Sequence, residues 1–211
     1  MKKILPLVLL ASGFAAAEFR PLVQVGAGLA MPSISGDDDF KDVNGWAARI
    51  GGGGAIPVNP TFDVLLTGHL AMMSVGTEAK GDEASFELTL LPRFLELEAT
   101  ASWNASPKAG VFGGLVMSIP MGGTYESKQT YTDYDYVNGS YQETTVSDSD
   151  DGDIDDEADP DNFTSLKIGA FHNLNEKAAV HVAYYLPSGK YLSDGIGVKI
   201  ARLEAGLTFR L

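Results

Sequence analysis

The carboxyl-terminal segment ARLEAGLTFRL alternates with period two. Ala201, Leu203, Ala205, Leu207, Phe209 and Leu211 form one apolar face, and Arg202, Glu204, Gly206, Thr208 and Arg210 form the other. Successive side chains of a strand point to opposite sides, so the pattern describes a β-strand with one greasy and one charged face. A core would bury the greasy face in a soluble protein. The length also suits a transmembrane β-strand, which needs about 9–11 residues.

The amino terminus points the chain out of the cytoplasm. Lys2 and Lys3 precede the apolar run Ile4 to Leu10, and Ala15, Ala16 and Ala17 close the segment before Glu18. This is the form of a secretory signal peptide over residues 1–17, too short for a spanning helix. No apolar run of helix length follows. If the mature chain, residues 18–211, enters a membrane, it must do so as a closed barrel, because only helices and barrels satisfy every backbone group in lipid. The chain has 0 Cys, so neither disulfides nor a thiolate site or nucleophile is available. Without the two leader lysines the count is 13 basic against 28 acidic residues, and 13 of those acids, with one Lys, lie between Gly122 and Phe163. The acidity therefore belongs to one insertion, and it argues against a nucleic-acid partner.

The same alternation recurs along the chain. Strands are predicted near Phe19 to Met31, Trp46 to Ile56, Phe62 to Met72, Phe86 to Trp103, Val111 to Ile119, Leu166 to Ala170 and Val180 to Leu186, with Ala201 to Leu211 as the eighth. In the fourth the apolar parity moves from Phe86, Leu88 and Leu90 to Leu95, Leu97 and Ala99, which predicts a β-bulge at Pro92. Connections alternate between polar loops and turns of about four residues, the asymmetry of outer-membrane barrels, and an even strand number sets both termini on the periplasmic side. Phe19, Phe62, Trp103, Phe171 and Phe209 fall at the periplasmic strand ends, and Trp46, Phe86, Tyr125, Phe163 and Tyr184 at the outer ends, giving two aromatic girdles. The expected fold is all-β, an eight-stranded antiparallel up-and-down transmembrane barrel. A soluble secreted lipocalin-like carrier of an apolar ligand is the alternative; there the apolar face would line the interior.

Signal peptide, eight alternating strands and apolar last strand together resemble the small outer-membrane barrels of Gram-negative bacteria. That group includes the transmembrane domain of outer-membrane protein A and related surface barrels. The resemblance implies a bacterial outer-membrane location, contact with outer-membrane lipid and lipopolysaccharide, and assembly by the barrel-insertion machinery. In that family the final residue, part of the insertion signal, is typically aromatic; here Leu211 ends the chain and Phe209 stands two positions earlier.

The face opposite the lipid carries mixed charge: Arg49, Arg93, Lys167, Arg202 and Arg210 against Asp63, Glu96, Glu98 and Glu204. Eight strands leave an interior just wide enough for side chains, so these residues are expected to form an ion-pair network that plugs the lumen. A narrow ion channel is the functional alternative. Some family members act enzymatically on lipopolysaccharide or peptides, but His69, His172 and His181 stand in no Ser or acid constellation of known spacing, and no catalysis is expected.

The insertion at 122–162 is read as a long acidic extracellular loop. Asn138-Gly139 is a strong two-residue hairpin signal and would pair Tyr136 with Tyr141 and Val137 with Ser140. Tyr134, Tyr136 and Tyr141 offer a surface for an extracellular protein or glycan partner, or simply brace the hairpin. The stretch DSDDGDIDDEADPDN resembles a calcium loop but misses its spacing. Weak Ca²⁺ or Mg²⁺ binding by Asp148, Asp150, Asp151, Asp153 and Asp155 is set against a solvated, disordered acidic segment. No other cofactor is expected.

Overall fold

The computed structural model describes residues 19–35, 41–81, 84–137, 140–154, 160–192 and 197–211. The leader expected at 1–17 lies outside the described residues. Eleven strands follow one another: β1 (Arg20–Ser35), β2 (Lys41–Val43), β3 (Gly45–Asn59), β4 (Phe62–Met73), β5 (Val75–Lys80), β6 (Ala84–Asn104), β7 (Ala109–Val137), β8 (Ser140–Asp153), β9 (Phe163–Asn173), β10 (Ala178–Pro187) and β11 (Gly197–Arg210). Eight of them, β1, β3, β4, β6, β7, β9, β10 and β11, pair in that order, each antiparallel to the next. The ring closes where β11 meets β1, from Leu22↔Arg210 to Ser35↔Gly197. Closure leaves these eight strands no open edge.

The start of β1, the end of β11 and three short connections share one end of the barrel. Each connection is built on a polar side chain that mimics a backbone turn. Asn59 Oδ1 accepts from the Thr61 amide at 2.9 Å, Ser106 Oγ from the Ala109 amide at 3.0 Å, and Asn175 Oδ1 from the Lys177 and Ala178 amides at 2.8 and 2.9 Å.

At the opposite end the sheet continues beyond the barrel. β5 pairs with the first part of β6, and β2 adds to β5. The insertion is likewise mostly strand. β7 runs on to Val137 and β8 returns beside it, with Tyr136↔Tyr141 and Val137↔Ser140 in the register that an Asn138-Gly139 turn predicts. The expectation of disorder in the acidic segment is corrected for its first part: Asp148 to Asp153, though exposed, belong to β8, paired with Gln129 to Thr124. Hydrogen bonds to a strand already protruding from the barrel offset the cost of aligning these charges.

The parity change expected in β6 does not occur. Leu90, Phe94, Glu96 and Glu98 all face the interior, so β6 keeps one parity and only the chemistry of its inward face changes. The register does shift between Pro92 and Phe94, but the extra residue lies on β7. There Gly122 adopts φ 88°, a left-handed conformation that a Cβ would strain.

Candidate functional site

The barrel is inside out relative to a soluble protein. Every barrel strand presents apolar residues outward, open to the surroundings, including Leu29, Ile50, Leu70, Leu97, Leu115, Ile168, Val182 and Leu203. Inward positions on the same strands bury Arg49, His69, Glu96, Glu98, Lys167, His181, Arg202 and Glu204. A soluble monomer rarely exposes a contiguous apolar patch beyond a few hundred Å², roughly, whereas here a belt surrounds the molecule. Lipid is the solvent that accepts such a belt. The chain is an eight-stranded transmembrane β-barrel. The soluble-carrier alternative fails on the same observation, because its apolar face would have to line the lumen.

The interior has two storeys. In the half toward the short turns, side chains from five strands form one ionic cluster. Glu98 on β6 accepts from Lys167 Nζ at 2.5 and 3.0 Å, from Arg49 Nη1 at 2.9 Å and from Thr67 Oγ1 at 3.0 Å. Arg49 Nε donates to Glu204 Oε1 at 2.7 Å. Arg202 Nη2 donates to Glu96 Oε2 at 3.0 Å, and its Nη1 lies 3.0 Å from Glu96 Oε1. Three cations, Arg49, Lys167 and Arg202, thus meet three carboxylates, Glu96, Glu98 and Glu204. The cluster is neutral, as burial in low dielectric demands.

Tyr185 on β10 is the hub that sequence reading missed. Its ring lies 3.9 Å from the Arg202 guanidinium carbon and 5.3 Å from both Arg49 and Lys167, and its hydroxyl donates to Glu204 Oε1 at 3.3 Å. An aromatic face over desolvated cations is strongly attractive. The available signal was its parity: Tyr184 shares the outward face with Val182 and Leu186, leaving Tyr185 inward with His181. His69 and Gln24 join the same layer. Arg49 Nη1 lies 3.4 Å from His69 Nδ1, and His69 Nε2 lies 3.1 Å from Gln24 Oε1. Glycine makes room where the long side chains cross: a Cβ on Gly26 would strike the Glu204 carboxylate, and one on Gly206 the His181 ring.

The remaining lumen predictions divide. Asp63 and Arg210 face inward but sit at the rim. Asn104 Nδ2 donates to Asp63 Oδ2 at 3.3 Å, and Arg210 Nη2 to Asn173 Oδ1 at 2.8 Å. Arg93 is a correction: it is exposed, because it shares the outward parity of Leu95 and Leu97.

The other storey is apolar. Ala30, Ala47, Met73, Leu90, Phe94, Phe163, Tyr191, Val198 and Ile200 form a buried cluster closed from above by Ile154, which follows β8. Phe94, Phe163 and Tyr191 pack edge to face, with centroids 5.3, 5.5 and 6.5 Å apart. Phe163 therefore leaves the outer girdle assigned to it, while Trp46, Tyr184, Phe19, Trp103 and Phe209 do face outward.

On the protruding hairpin, Tyr134 is exposed, and Tyr136 and Tyr141 are described by their backbone pairing alone. Strand alternation sends Asp148 and Asp150 to one side of β8 and Asp151 and Asp153 to the other. Asp150 Oδ2 accepts from the Tyr125 hydroxyl at 3.0 Å, and Asp155 lies outside the described residues. Among the described residues no group of three or more acids or histidines converges to hold a metal ion.

No protein-family model matches the chain, and no curated protein matches it. Solved structures similar to it include Neisserial surface protein A, at 14% identity over 90% of this chain and 97% of that one, with a TM-score of 0.44. Ail, the attachment invasion locus protein of Yersinia pestis, is 15% identical in its complex with the heparin analogue sucrose octasulfate, over 90% of this chain and 99% of that one, with a TM-score of 0.38. The outer membrane protein OprG from Pseudomonas aeruginosa is 11% identical over 92% of this chain and 98% of that one, with a TM-score of 0.37.

Proposed function

We propose that this protein is a bacterial outer-membrane barrel with a structural or surface-interaction role, and that it is neither an open pore nor an enzyme. The observation that carries the reading is the filled lumen. A neutral ion-pair cluster lies in the half near the short turns, and a buried aliphatic and aromatic cluster occupies the other half. Together they support a plug in place of a path. The protruding β7–β8 hairpin is then the part of the molecule offered to the exterior, with Tyr134 on its surface as a contact for a protein or glycan.

Reconstitution into planar bilayers tests the plug. The expected result is a membrane as resistive as protein-free lipid. Steady single-channel currents from the folded monomer would overturn it and favour the narrow-channel reading.

A further inference from the structure

The three short turns do not close over their end of the barrel. They stand around an open recess of about 810 Å³, walled by residues of all three turns and of the ends of β1 and β11. Small-molecule sites span roughly 300–1,000 Å³, so the recess is large enough to hold a ligand. Its lining includes Asp63, Asn104 and Arg210, whose parity is inward. The recess therefore lies over the mouth of the barrel, away from the lipid headgroups around the wall. An outer-membrane barrel turns this end to the periplasm.

Charge in the recess has both signs, with cations in excess: Arg20, Lys108 and Arg210 against Asp63 and Glu176. Arg210 is the fixed point. Its Nη2 donates to Asn173 Oδ1 at 2.8 Å and its Nη1 to the backbone carbonyl of Glu176 at 3.3 Å, so two uncharged acceptors hold the guanidinium in place. Among the described residues, neither Arg210 nor Lys108 has a carboxylate within salt-bridge reach. The rest of the guanidinium fork thus meets no anion of the protein. The neighbouring amides are already engaged in holding the turns. Asn173 Nδ2 donates to the Pro107 carbonyl at 3.0 Å, and Asn104 Nδ2 to Asp63 Oδ2 at 3.3 Å. A site whose walls are fixed before the ligand arrives loses little affinity to ordering.

We propose that this recess binds the carboxylate end of a short periplasmic peptide. Arg210 takes the carboxylate, for which a positioned guanidinium is the best-matched partner among the side chains. Lys108 adds a second positive charge at the rim, and Asp63 and Glu176 accept from N–H groups of the preceding peptide residues. The site is separate from the surface role of the hairpin, and it stands whether or not the lumen conducts.

A chemical-shift titration of the folded protein in zwitterionic detergent micelles at low salt, with N-acetyl-trialanine as the probe, tests this. Saturable shifts are expected at the Arg210 Nε–H and at the backbone amides of Lys108 and Asn175. The C-terminal amide of the same peptide, which lacks the charge, should bind weaker by about tenfold or more. Arg210→Gln should abolish saturation, and Lys108→Gln should weaken it several-fold. Lys177→Gln removes a cation of the same end that does not line the recess, and should leave the titration unchanged. Because Lys108 is exposed on a turn, its variant reads the site even if the Arg210 variant disturbs the end of β11. Equal binding of acid and amide, or no shift at millimolar peptide, would overturn the proposal. Inorganic phosphate bound as tightly as the peptide acid would make this a general anion site and overturn the peptide assignment. A loss with Lys177→Gln equal to that with Lys108→Gln would reduce the effect to diffuse charge and overturn the site.

Discussion

Glu98 is the acid on which the ionic storey depends most. It accepts four hydrogen bonds, two from Lys167 and one each from Arg49 and Thr67. Arg49 keeps a second carboxylate in Glu204 at 2.7 Å; Lys167 has no other within salt-bridge reach among the described residues. Glu98→Leu therefore strands the ammonium of Lys167 in a lumen with a net charge of one, and breaking a buried pair in this way costs about 3–5 kcal/mol. The charge-balanced double variant Glu98→Leu/Lys167→Met removes both partners. Replacing a buried pair by apolar groups of similar size is often close to neutral, so the double variant should recover at least about 2 kcal/mol of that loss. Urea titration in lipid vesicles is the assay, with heat-modifiable gel mobility and the fluorescence of the outward-facing Trp46 and Trp103 as independent probes of the folded state. A single variant costing less than about 1 kcal/mol would place the pair among weak, solvated ion pairs and refute the buried-cluster reasoning. A double variant as unstable as the single would show that packing around Glu98, and not charge balance, sets the cost.

Leu207 stands on the lipid-facing side of β11, between Val25 on β1 and Val180 on β10. Leu207→Lys should destabilise the inserted barrel by about 2–4 kcal/mol if it lies near the midplane, with Thr208→Ser silent on the same unfolding curve; normal assembly of the lysine variant would contradict the lipid-facing assignment. Phe94, at 1% exposure, holds the aromatic trio of the apolar storey, so Phe94→Ala should cost about 3–5 kcal/mol in the same titration; a loss below about 1 kcal/mol would mean that the trio is not packed as a core.

Much of this architecture is legible in the sequence because the information is local. A period of two gives strand and face together, so the eight barrel strands, the closure of β11 on β1 and the inward side of Arg49, Glu96, Glu98, Lys167, Arg202 and Glu204 follow from counting. The hairpin register around Tyr136 and Tyr141 follows from one dipeptide of turn chemistry. Arg93 and its apolar neighbours Leu88, Leu90, Leu91 and Phe94 mark the limit of that reasoning. Hydrophobicity identifies a lipid-facing side only where the opposite side is polar, and in the outer part of the barrel both are apolar.

What the tertiary structure alone decides is which side chains meet. Arg49 and Glu204 are 155 positions apart, and their contact depends on the tilt and stagger with which the strands close, a property of the whole ring. The same closure brings Tyr185 under three cations and carries Ile154, Phe163 and Tyr191 into the mouth. The sequence determined a barrel with charge inside. Only the packing determined that the charge is neutralised in one half and gives way to an apolar cluster in the other.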